Sequence, residues 1–173
     1  MTKGLVEGPE VKSRIEQPYA AIPVVRSVLD RVEIAALAEE VYRWLNHRGI
    51  EPDGNPFCRF WIMGGVEEQF HMEVGIPIAR MTAGDHRVTA SVIPGGTYAA
   101  AVHKGAADHM EDTCYALQKW ALDEGLELDR RYEEDTEIWN GRFEFYPAIP
   151  QNAEEFSEMD VEIAFLLMRD DAA

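Results

Sequence analysis

The chain carries one pattern twice. "DRVEIAALAEEVYRWLNHRG", from Asp30, places Ile34, Leu37, Ala38, Val41, Trp44 and Leu45 along one helix face, sets Asp30 and Glu33 in capping-box positions, and stops at Gly49. "DHMEDTCYALQKWALDEG", from Asp108, repeats the stripe with Met110, Thr113, Cys114, Leu117, Trp120 and Ala121, the cap with Asp108 and Glu111, and the stop with Gly125. The neighbours follow: "QPYAAIPVV" from Gln17 matches "GTYAAAVHK" from Gly96, and "MEVGIPIA" from Met72 matches "MDVEIAFL" from Met159. These short apolar runs, bounded by breakers, predict strands. Offsets stay between 76 (Trp44 to Trp120) and 87 (Met72 to Met159), so insertions between the copies are small.

Each half therefore reads strand, strand, helix, strand, strand. Two striped helices must bury their apolar faces, and an antiparallel sheet with both helices on one side is the α+β solution to that demand. The expectation is a single domain over residues 1–173, with repeats at about 10–81 and 86–168 related by a pseudo-twofold axis. A central pocket is expected at the junction of the halves, on the side away from the helices.

Composition limits the partners. With 32 acidic against 16 basic residues the net charge is −16, which repels phosphate backbones and attracts cations, so direct nucleic-acid binding is not expected. Solubility alone would also account for so acidic a surface. No apolar run approaches the roughly 18 residues of a membrane span, and "MTKGLVEGPEVKSRIEQPY" has no secretory pattern, so a soluble cytoplasmic protein is expected. Cys58 and Cys114 have neither metal nor disulfide-framework spacing. His103 and His109 near Asp108 and Asp112 match no metal spacing, His47, His71 and His86 are isolated, and the glycines of "IPGGTYA" read as a turn into a strand. Neither metal nor cofactor is expected.

"EDTEIWNGRFEFYP" draws attention to one acid. Asn140-Gly141 between alternating segments predicts a two-residue hairpin turn in which Trp139 faces Arg142, Ile138 faces Phe143, Glu137 faces Glu144 and Thr136 faces Phe145. Two carboxylates would then oppose each other across the strands, which is destabilising. Either the face is solvated, or a cation relieves it, or the register differs from this count.

"IPGGTYAAAVHKGAAD", from Ile93 to Asp108, resembles the Pro-x-Gly-x-Tyr-Ala...His-x-Gly signature of GyrI-like small-molecule-binding domains, which also form the effector-binding part of multidrug-sensing transcription activators. "EVGIPI" at Glu73–Ile78 is similar to the strand closing that family's first half, and "FEFY" at Phe143–Tyr146 resembles its Glu-x-Tyr element. The resemblance runs from about Glu10 to Met168. The family's proline-rich link after Glu-x-Tyr survives only as "YPAIPQNAEEFSEMD", and no helix-turn-helix segment accompanies the domain, so a stand-alone member is expected.

The resemblance implies a central aromatic pocket into which Glu144 reaches. Tyr146 lies on the same face about 7 Å along the strand, with Trp61, Tyr98 and Trp139 as further lining residues. It implies capture of lipophilic, often cationic aromatic molecules, each good ring adding roughly 0.5 to 2 kcal/mol of cation–π attraction. An alternative is a hydrolase that opens cyclopropane rings of DNA-alkylating natural products, in which Glu144 activates water and Tyr146 or Tyr98 protonates the carbonyl that becomes a phenol. No activated Ser, Cys or metal constellation is visible for other hydrolytic chemistry. A second alternative is a protein-binding gyrase inhibitor.

Overall fold

The computed structural model describes residues 5–27, 31–64, 69–104, 109–148, 155 and 158–169. In chain order the elements are β1 (Leu5–Arg14), β2 (Gln17–Arg26), α1 (Arg31–His47), β3 (Phe57–Gly64), β4 (Phe70–Pro77), β5 (Thr89–Ile93), β6 (Gly96–Lys104), α2 (Met110–Asp123), β7 (Arg130–Glu133), β8 (Thr136–Trp139), β9 (Arg142–Phe145) and β10 (Val161–Leu166). All described strands join one antiparallel sheet in the order β1-β6-β10-β9-β3-β4-β2-β5, with the β7–β8 hairpin attached to β3 through β8.

Each half lends its first strand to the other: β1 pairs with β6, and β5 pairs with β2. A half cut out alone would leave that first strand without the partner it has in the whole sheet.

Both helices cover the same face. Ile34, Leu37, Ala38, Val41 and Leu45 of α1 and Met110, Cys114, Leu117 and Ala121 of α2 share one core with Ala20, Ile22, Met72, Val74 and other alternate residues of the strands. The intervening residues, among them Tyr19, Phe57, Tyr98 and Phe143, form a second core on the opposite face. The inner strands are thus buried on both sides rather than half solvated, unlike the usual antiparallel alternation.

The helix stops work as their sequences imply. Gly49 and Gly125 take φ of 68° and 71°, and the following amides reach back five residues, Ile50 to Leu45 and Leu126 to Ala121, in the same left-handed terminator twice. Asp30 and Asp108 lie outside the described residues; Glu33 ion-pairs with Arg26, and the N-cap of α2 is His109, which makes no side-chain capping bond. The loop before β5 is tied to α1 through Asp85, which accepts from Trp44 Nε1 at 2.8 Å and from the amides of Arg87 and Val88.

Asn140-Gly141 is not a hairpin turn. β8 and β9 do not pair with each other; both lie along β3, with Ile62 opposite Ile138 and Arg59 opposite Phe143. The dipeptide is the extra length where the register against β3 changes, an irregularity of the bulge kind. The real hairpin is β7–β8, turned by Glu134 and Asp135, with Glu134 at φ 56°. The physical reason is packing: a Cβ on Gly141 would sit 2.6 Å from Leu166 Cβ, so the residue is glycine because β10 passes against it. Asn140 is anchored to Asp129 through its side chain at 2.7 Å. The expected clash of Glu137 with Glu144 therefore does not arise, since Glu137 faces Met63 and Tyr132 while Glu144 faces Cys58 and Ile163. The match through Met72 and Met159 is also displaced by two residues: Tyr19 pairs with Pro77 and Tyr98 with Leu166, which gives Glu73 and Glu162 the corresponding places.

Candidate functional site

β9 alternates Arg142, Glu144 and Tyr146 toward the helices with Phe143 and Phe145 toward the opposite face. Glu144 is only 7% exposed, so it is not on a solvated strand face. The Tyr146 hydroxyl donates to its Oε1 at 3.0 Å and lies 3.7 Å from the Cys58 sulfur. Trp139 is buried on this face as well, 5.0 Å from Phe165 between ring centres. Cys114 faces the same region from α2; burial pushes its thiol up to about 12, with Arg142 and its hydrogen bond pulling the other way, so it is an inert thiol. A groove of about 530 Å³ reaches Tyr146 from the sheet end, between Arg14, Gln17, Asp53, Asn55 and Phe145.

Glu144 and Tyr146 are in contact and Trp139 lies on the same face, while Trp61 and Tyr98 do not join them. Tyr98 belongs to the opposite core, where its hydroxyl donates to the Pro94 carbonyl at 2.7 Å and burial raises it to about 12. Trp61 packs under the Arg59 guanidinium at 3.5 Å. Contrary to the expected arrangement, Glu144 faces the helices and not the side away from them, because the strand's alternation gives that other side to Phe143 and Phe145.

The opposite face holds a polar cluster that the sequence reading missed. Arg59, 3% exposed, donates to the Tyr19 hydroxyl, the Val92 carbonyl and the Asn140 carbonyl, each at 2.9 Å. Tyr19 in turn donates to Glu73, which is 5% exposed. The signal was present: Arg59 in "FCRFWIM" and Glu73 in "HMEVGIP" are lone charges inside apolar strands, and such charges are rarely buried unless paired. One guanidinium ties β5, β3 and the Asn140 irregularity together, which makes this cluster a strut. His103 is likewise structural, buried with its Nδ1 2.5 Å from Thr113 Oγ1. Among the described residues no group of three or more His, Cys, Asp or Glu could hold a metal ion.

Burial raises the Glu73 carboxyl, against the opposing pull of Tyr19, Arg59 and Trp61. A raised acid favours the fold while protonated; that contribution is complete below the unfolded value, about 4.3, and is lost as pH rises through the folded value. Asp85 has the opposite sign. Its carboxyl is held well below the usual range by the Trp44, Val88 and Arg87 donors, so its contribution is present above the unfolded value and lost as pH falls. Relative to wild type, Glu73→Gln is expected to gain stability as pH rises from about 4 to 7, read from urea midpoints. Parallel profiles for the two proteins would contradict the buried placement of this carboxyl.

No helix among the described residues is long and apolar enough to cross a membrane. Solved structures share the fold. EcmrR in its DNA complex is 17% identical with a TM-score of 0.71 over 98% of this chain, which spans 59% of the EcmrR chain. The separate EcmrR C-terminal domain has a TM-score of 0.64 at 15% identity, with 98% of this chain and all of that domain covered. A hydrolase from Listeria innocua gives 0.59 at 13% identity, over 92% of this chain and 91% of that one. SAV2435 bound to tetraphenylphosphonium gives 0.54 at 9% identity, over 93% and 94%. No curated protein matches the sequence. Residues 9–163 match the GyrI-like small molecule binding domain, and with the two helices over one antiparallel sheet found here the chain belongs to that family.

Proposed function

We propose that this chain binds lipophilic aromatic small molecules, cations among them, on the helix-covered face of the central strands, with Glu144 as the charge partner. One observation carries the reading: a carboxylate 7% exposed, oriented by the Tyr146 hydroxyl at 3.0 Å, on the face whose core also holds Trp139 and Phe165. A buried carboxylate is costly without a positive partner, and an entering organic cation supplies one while gaining ring contact. The net charge of −16 concentrates cations around the protein. Tetraphenylphosphonium, which SAV2435 holds, is the natural first probe.

Glu144→Gln keeps the shape and the acceptor for Tyr146. It is expected to weaken tetraphenylphosphonium by about 1 to 3 kcal/mol, the cost of losing a desolvated charge partner, while neutral triphenylphosphine oxide is little affected. Calorimetric titration of both ligands against both proteins gives the comparison. Equal losses for the two ligands, or none, would remove Glu144 from the binding role.

The Tyr146–Glu144 hydrogen bond also favours a second reading, hydrolysis of strained rings. The carboxylate would orient a water and the phenol would supply a proton to the carbonyl. Of the two tyrosines considered from sequence, only Tyr146 is on Glu144's face. A cyclopropane-bearing alkylator incubated with wild type and Glu144→Gln, with the ring-opened product followed by mass spectrometry, separates the readings: product in wild type alone establishes turnover.

A further inference from the structure

Three rings of the helix-covered face already surround a cation, and it belongs to the protein. Arg142 precedes Glu144 by two residues on β9 and so shares its face, about 7 Å away along the strand. Its guanidinium carbon lies 4.9 Å from the Trp139 ring centre, 5.1 Å from Phe165 and 5.8 Å from Phe60, each within cation–π range. The side chain is only 11% exposed. From α2, Cys114 faces the same region, and the charges of Arg142 and Glu144 act on its thiol in opposite directions. On its outer side the guanidinium approaches Glu137 at 3.9 Å, a carboxylate 27% exposed that also receives the Trp139 indole N–H and a 3.6 Å approach from Arg130.

We propose that Arg142 is the resident occupant of the cation subsite, and that a lipophilic cation binds by displacing its guanidinium from the three-ring cage toward Glu137. The inference rests on the binding reading above and adds to it a rule of ligand choice. Without ligand, Arg142 puts a positive charge on the same face as Glu144, two residues away along β9, and approaches Glu137 rather than Glu144. A ligand must outbid a guanidinium already stacked on rings. A small hydrated cation offers too little apolar area for that exchange, and a multi-ring cation replaces both the charge and the ring contact. The apparent affinity is reduced by the fraction of molecules whose cage is filled. Glu137, partly in water and next to the cage, gives the displaced guanidinium a destination that does not strand its charge.

The test titrates tetraphenylphosphonium and triphenylphosphine oxide against wild type, Arg142→Met and Arg142→Lys. Arg142→Met empties the cage of charge and is expected to bind the phosphonium at least about tenfold more tightly, with a smaller change for the neutral oxide. Arg142→Lys leaves a cation in place and is expected to stay near wild type. Arg142→Gln, which is polar but uncharged, serves the same purpose should the methionine variant fail to fold by circular dichroism. Wild-type binding that falls in Glu144→Gln but is unchanged or weaker in folded Arg142→Met and Arg142→Gln overturns this inference and leaves the binding reading standing. Absence of binding to wild type and to every variant overturns both.

Discussion

Arg59→Met is expected to destabilise the fold by about 3 to 5 kcal/mol, the range for breaking a buried charged network by removing one member. The methionine replaces much of the side-chain volume but none of the three donated bonds, so the Val92 and Asn140 carbonyls and the Tyr19 hydroxyl lose their donor at once. Glu73 then remains buried with Tyr19 and no nearby guanidinium, which raises its carboxyl further and makes the loss grow with pH. Adding Glu73→Gln is expected to recover part of the loss, because the stranded charge is removed with its partner. Urea unfolding of the two single variants and the double variant at neutral pH measures the coupling. A cost below about 1 kcal/mol, or simple additivity, would show that the cluster is not a strut.

Gly141→Val is expected to cost about 3 kcal/mol, near the top of the range for overpacking a core. The added Cβ would lie 2.6 Å from Leu166 Cβ, and the valine methyls have no free volume between β9 and β10. Leu166 is itself buried, so Leu166→Ala alone is also destabilising. The double variant is expected to be more stable than the sum of the single effects by at least about 1 kcal/mol, because the alanine vacates the space the valine needs. An exposed Asn-Gly turn would behave otherwise. There, valine would be costly for its backbone angle alone, and Leu166 would make no difference; additive effects would therefore restore the hairpin reading.

How far the chain could be read without coordinates follows from the range of the interactions involved. The helices, their left-handed terminators at Gly49 and Gly125 and most of the strands depend on residues within a turn or two of one another, so stripes and stops in the sequence suffice. The α+β class follows as well, because two amphipathic helices flanked by apolar strands have few ways to bury their stripes. Glu144 and Tyr146 share a face because strand alternation is a local rule.

Only the tertiary structure decided the rest. Asn140-Gly141 has the local signature of a tight turn, yet β3 supplies a pairing surface for both β8 and β9, and the close passage of Leu166 gives glycine a second reason to be there. Which side of the sheet Glu144 faces depended on where α1 and α2 dock, a contact between residues far apart in the chain. Trp61 and Tyr98 are aromatic and on strands, as expected, but the same alternation carried from other strands puts them with Arg59 and the opposite core. Arg59 and Glu73 appeared in sequence as isolated charges in apolar strands; that they are linked through Tyr19 follows from the order β3-β4-β2, which no local pattern encodes. A strand period assigns each side chain to one of two faces, and the pairing of distant strands determines what it meets there.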